Sequence, residues 1–239
     1  MKTSSSLQNS CKSEDVSYQP WVGKTGGNDP SSDSSRELKI ILHSMVSKPQ
    51  VHAAWLNSLS QLELAGAQKI SAYLGSRRDL SSSLLQHAAE EFRHAYFFKK
   101  KAEQFCKKQA LLRPNMILGR VGLRYLHLLD LGISRYCREE KGLHEAKLKQ
   151  ASYLGTTYAI EMRAMSVYPL YEQVLKEAKQ DLSLASLIRE ERAHLHQIKK
   201  EIGACVDLNP QTISDFIEIE QPLFSKVLEE IKGYVYGST

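Results

Sequence analysis

A chain of 239 residues with 42% hydrophobic and 25% charged content is long enough to bury one sizeable core, and it reads as one domain rather than two. Its net charge of +5 is modest and the basic residues are scattered, so an anionic substrate or a nucleic-acid partner is permitted, the latter not favoured. The start, Met1 to Ser6, has no apolar stretch behind it, and no run of about 18 apolar residues occurs, which argues against a secretory leader or a membrane span and predicts a cytoplasmic protein.

Residues 1–35 are rich in Ser, Gly, Asn and Asp without helical periodicity and predict a flexible tail, in which Tyr18 and Trp21 are the exceptions that could pin it to the bundle or to a partner. From about 36 to 239 the pattern is that of a helical bundle. A short helix from about 37 (Leu38, Ile41, Leu42, Met45) leads through Pro49 into a helix at about 51–75, ended by Gly75. The turn from Gly75 to Asp79 opens a helix at about 80–109, stopped before Pro114, with Lys99, Lys100, Lys101, Lys107 and Lys108 at an end that the helix dipole makes favourable for cations. The segment at about 117–139 is itself periodic. Helices follow at about 143–179 and about 181–203, the second started by Asp181 and closed by Gly203. A last helix at about 210–235 is announced by Asn209 as cap and Pro210 at the first helical position. No strand pattern competes, and the fold class is all-α. Cys11, Cys106, Cys137 and Cys205 show no CxxC spacing, so reduced thiols are expected rather than a disulfide framework or a zinc site.

Two copies of Glu-x-x-His, Glu91/His94 and Glu191/His194, are each preceded by a lone glutamate, Glu63 or Glu161, that interrupts an apolar stripe. Glu63 shares its face with Leu56, Leu59, Gly66, Ile70 and Leu74; Glu161 shares its face with Leu154, Tyr158, Ala164, Met165 and Tyr168. The separations, 28 residues from Glu63 to Glu91 and 30 from Glu161 to Glu191, correspond to one helix, a short turn and a second helix running back. Both halves then bring their carboxylates to one height. Four ionised carboxylates in an apolar interior cost too much unless paired or bound to metal, and no inward Lys or Arg lies on these stripes. Two divalent ions would neutralise four carboxylates. The hard, oxygen-rich set with two imidazoles suits iron or manganese rather than a thiolate-preferring metal.

At these residues the chain resembles the ferritin-like di-iron carboxylate superfamily, whose four-helix bundles take one Glu from each of two helices and Glu-x-x-His from the other two. The resemblance covers about residues 50–203. It implies a four-helix bundle with one long crossover, containing the extra helix at about 117–139, and a C-terminal helix. It implies two iron ions, with manganese or a mixed Mn/Fe pair as alternatives, held by Glu63, Glu91, His94, Glu161, Glu191 and His194. Glu91 and Glu191 would bridge, and Glu63 and Glu161 would be terminal. The absence of extra carboxylates at Gly66 and Ala164 resembles the oxygenase and hydroxylase branch. That branch implies O2, a small organic or lipid-like substrate and an electron donor, acting as a monomer or dimer. An Fe(II)-binding and Fe(II)-oxidising protein without organic substrate is the alternative, and a non-catalytic interaction bundle is a third reading.

Gly66 and Ala164 either leave room beside the metals or permit a close helix contact. His87, one turn before Glu91, and Tyr158, one turn before Glu161, are candidates to hydrogen-bond a ligand, with a packed core position as the competing role for each. His127 and His196 read as packed or surface histidines. Glu90 and Glu190 are expected to face solvent or the adjacent helix, where Arg93 and Arg192 could pair with them.

Overall fold

The computed structural model of the chain describes residues 30–76, 80–108, 116–205 and 209–237. Among these residues there are seven helices and no strand: α1 (Pro30–Val46), α2 (Pro49–Leu74), α3 (Ser82–Lys108), α4 (Gly119–Glu139), α5 (Glu145–Glu177), α6 (Ala185–Ala204) and α7 (Pro210–Tyr236). No helix is long and apolar enough to cross a membrane.

Two antiparallel hairpins frame the interior. In the first, α2 and α3 lie side by side, with the Ser60 hydroxyl donating to the Ala95 carbonyl at 2.8 Å and Lys99 Nζ donating to Asn57 Oδ1 at 2.9 Å. That contact engages one of the lysines of the basic cluster near the end of α3. In the second, α5 and α6 pair in the same manner. Helix α5 is the central element. Its residues 151–159 are buried without interruption, as a helix surrounded on all sides must be, and it packs on α1, α4, α6 and α7. Leu42, Met45, Leu56, Phe98, Leu129, Leu154, Tyr171 and Phe216 are among the fully buried side chains that join the helices into one core. Gly155 lets α5 approach its neighbours: a Cβ there would stand 2.7 Å from the Phe216 ring and 3.0 Å from Ile133.

Two element boundaries differ from the sequence reading. Helix α1 starts at Pro30, so residues 30–35 are helical rather than tail; the remainder of the predicted tail, with Tyr18 and Trp21, lies outside the described residues. Helix α6 starts at Ala185, not at Asp181. Its first orphan amides are satisfied from elsewhere: Leu184 N–H donates to the Glu172 carboxylate of α5 at 2.6 Å, and Ala185 N–H donates to Ser183 Oγ at 3.2 Å. A carboxylate from the neighbouring helix does what a local cap was expected to do. Asn209 does cap α7, accepting from Thr212 N–H at 2.9 Å. Asp79 and Pro114 fall outside the described residues, as does Cys11. Cys106, Cys137 and Cys205 are free thiols.

Candidate metal centre

Each of α2, α3, α5 and α6 contributes one inward glutamate at mid-length, and the four meet in the interior. Glu63, Glu91, Glu161 and Glu191 are at most 8% exposed, and His94 and His194 are equally buried. The helical spacing of three between Glu and His puts each motif's two side chains on one face. Two overlapping groups of donor atoms result. Glu63, Glu91, His94 and Glu191 form one, and His87, Glu91, Glu161 and His194 form the other; within each group the ligand atoms lie within 4.8 Å of one another, close enough to hold a metal ion. Glu91 belongs to both.

The imidazoles present Nδ1 to the carboxylates. His94 Nδ1 is 3.0 Å from Glu191 Oε1, and His194 Nδ1 is 3.1 Å from Glu191 Oε2 and 3.4 Å from Glu91 Oε1. Each Nε2 turns outward to a carboxylate of the opposite helix. His94 Nε2–H donates to Glu190 at 2.7 Å, and His194 Nε2–H donates to Glu90 at 2.8 Å. Glu90 and Glu190 therefore face the adjacent helix and clamp the histidine across it, an arrangement that fixes the tautomer and leaves Nδ1 as the free donor atom. Arg93 ties the two clamps together, 2.9 Å from Glu190 and 3.8 Å from Glu90, whereas Arg192 is exposed.

The electrostatics of the centre favour positive charge beside the carboxylates. Burial and then the charges of Glu91 and Glu191 push the Glu63 carboxyl up; burial and then Glu191 and Glu91 do the same to Glu161. Burial opposes ionisation of Glu191 too, but the hydrogen bond from His194 and the nearby charge of His94 outweigh it and hold this carboxyl low. Burial disfavours charge on His94, yet its contacts with Glu191 raise it to about 9, and His194 is raised for the same reason. Without metal, protons on carboxyls and imidazoles supply the compensating charge. His94 Nδ1 nevertheless has no hydrogen bond of acceptable geometry despite its proximity to Glu191. A buried nitrogen left without a partner amid carboxylate oxygens fits a metal ligand, and the donor set as a whole fits two hard or borderline divalent ions.

His87 is buried one turn before Glu91, with Nε2 3.1 Å from Glu161 and 3.3 Å from Glu91. On α5 it is Tyr168, not Tyr158, whose hydroxyl donates to a carboxylate of the centre, Glu63. Tyr158 is buried elsewhere in the core. His127 and His196 are exposed. Gly66 and Ala164 both line a cavity of about 110 Å³ whose wall also includes Glu63, Glu91, Glu161 and Glu191. A Cβ at Gly66 would sit 3.4 Å from Glu91, an ordinary contact, so the glycine is not forced by a close helix approach. Helix α4 supplies Gly122, Tyr125 and Leu126 to the wall, and α7 supplies Phe224, Val227 and Ile231. Nothing in the sequence pattern announced the part played by α7.

No protein-family model, no curated protein and no solved structure matches this chain.

Proposed function

We propose that this chain is a dimetal oxidoreductase of the ferritin-like di-iron type, which uses O2 to oxidise or hydroxylate a small apolar substrate, with reduction by an external electron donor. The observation that carries the reading is the pair of overlapping four-residue donor groups sharing Glu91, whose four glutamates line an otherwise apolar cavity. Glu63, Glu91, His94, Glu161, Glu191 and His194 would hold the two ions. Iron held there would supply electrons for the reduction of O2.

The chain's own residues supply the rest. Glu90 and Glu190 hold the two imidazoles in the tautomer that ligates. Trp55, Leu59, Leu62, Ile160 and Val167 exclude water and favour an apolar guest, the size of the cavity matching a small molecule or the end of an alkyl chain. Gly66 and Ala164 keep the space nearest the carboxylates open. The Tyr168 hydroxyl donates to Glu63 and so favours the ionised form of that carboxylate. An iron-handling role would call for a polar path that hydrated Fe(II) could follow; the apolar walls favour the enzyme.

The test is anaerobic loading of purified chain with Fe(II) followed by exposure to O2 in the presence of candidate alkyl or aromatic substrates. Incorporation of oxygen into, or removal of electrons from, an apolar substrate is expected. Oxidation of iron in large excess over the protein, with no organic product and with accumulation of a ferric core, would favour iron handling.

A further inference from the structure

The two halves of the centre form a near repeat in which Glu63 answers to Glu161, Glu90 to Glu190, Glu91 to Glu191 and His94 to His194. The repeat breaks one turn before each motif: α3 carries His87 where α6 carries the buried apolar Leu187. It breaks again at the two lone carboxylates, since Glu63 is met by a phenol and Glu161 by an imidazole.

We infer that His87 is a third imidazole ligand, bound through Nε2 to the ion that Glu161 and His194 hold, so that the two metal positions are chemically unlike. The inference rests on the dimetal reading above. His87 Nε2 stands almost equally far from two carboxylate oxygens, 3.1 Å from Glu161 and 3.3 Å from Glu91, which is the placement of a ligand to an ion between them rather than of a proton donor committed to one. His194 Nδ1 faces the same two oxygens, 3.4 Å from Glu91 and 3.9 Å from Glu161. The His87 and His194 rings stack with centroids 3.8 Å apart at 30°, which aims both nitrogens at one region. The second position then has two nitrogen donors where the first, built from Glu63, His94 and Glu191 with the shared Glu91, has one. Nitrogen donors favour ions later in the divalent series, so the His87 position fills first with Fe(II) or Co(II), while Mn(II) discriminates less between the two.

Co(II) is the probe. The metal-free chain and its His87→Gln and His87→Leu variants are titrated anaerobically with Co(II), with helix content recorded alongside, and the paramagnetically shifted imidazole signals of the loaded wild-type chain are counted. The expected result is two Co(II) in two resolved steps and shifted signals from His87, His94 and His194. In both variants the tighter step weakens by about 100-fold or more, beyond the cost of losing an outer hydrogen-bond partner, and the other step moves little. Glutamine keeps a hydrogen-bond donor but no imidazole, so a His87→Gln variant that binds as wild type overturns the assignment. Shifted signals from His94 and His194 alone overturn it without reference to any variant's folding. A wild-type chain that binds no Co(II) overturns the dimetal reading itself, and this inference with it.

Discussion

Glu190 and Glu90 serve histidines on the opposite helix. Removing one of them leaves the imidazole free to rotate and to protonate at the wrong nitrogen. Glu190→Ala is expected to weaken the metal held by His94, and Glu90→Ala the metal held by His194, each by about 10–100-fold with the ligands intact. Co(II) titration of each variant checks this, and unaltered affinity would mean that the clamps are surface ion pairs only. The lone glutamates were legible in the sequence because a carboxylate on an apolar stripe is costly and must be explained. The crossed clamps were not, since position i−1 on a helix points about 100° away from the motif and only the placement of the partner helix decides what it meets. Tyr168 was equally hidden: a tyrosine on a core stripe looks the same whether or not its hydroxyl reaches Glu63. At the cavity end, Ala164→Leu fills space beside the carboxylates with little change in helix propensity. The variant is expected to keep two metals and to lose turnover of an organic substrate more than oxidation of Fe(II), which needs only a narrow passage. Loss of metal in that variant would show that the position packs tightly.

Helices α4, α5 and α7 are joined beside the cavity by one buried polar cluster. Arg163 donates to both oxygens of Glu220, at 2.9 and 2.6 Å, and its guanidinium lies 3.8 Å over the Phe224 ring; the Tyr125 hydroxyl also donates to Glu220 at 2.7 Å. Glu220 is 2% exposed, so Glu220→Ala leaves a largely buried cation unpaired and is expected to cost about 3–5 kcal/mol. Tyr125→Phe removes one hydrogen bond of several and should cost about 1 kcal/mol. Denaturant unfolding of both variants measures the difference, and equal small losses would show that α7 is held by apolar packing alone. The helices themselves were legible from periodicity, and Asn209 marked the start of α7. Neither the cluster nor the α6 start was, because Arg163 meets Glu220, and Glu172 meets Leu184, only after helices distant or adjacent in sequence have docked. The extra helix at 117–139 was visible as a period, but its place on the cavity wall depends on how α4 packs against α2, α5 and α7.

For the molecule as a whole, the proposed dimetal centre would couple metal to fold through charge. In the metal-free chain His94 is raised from its ordinary value to about 9, so its contribution to stability is full below about pH 6.5 and is lost as pH rises through about 9. Glu63 and Glu161, also raised, contribute below their ordinary range and lose that contribution as pH rises through their raised values. Glu191 has the opposite sign, contributing above its ordinary range and losing that contribution only in acid. The metal-free fold should therefore weaken between about pH 6.5 and 9, whereas in the loaded protein two ions replace those protons. Thermal melts with chelator and with metal should show a gap that widens over this interval, and free metal at about a hundred times Kd should add about 2.7 kcal/mol for each site filled. A gap independent of pH would mean that the protonation states of the empty centre are not those described.

The most direct measurement is the metal content of the folded chain. Purified protein, stripped and then reloaded anaerobically with Fe(II), is predicted to retain two ions per chain after removal of excess metal, falling to one or none in Glu91→Ala because that carboxylate belongs to both donor groups. A correctly folded wild-type chain that retains no ion would contradict the account, and retention of two ions by the Glu91→Ala variant would contradict the shared role of Glu91.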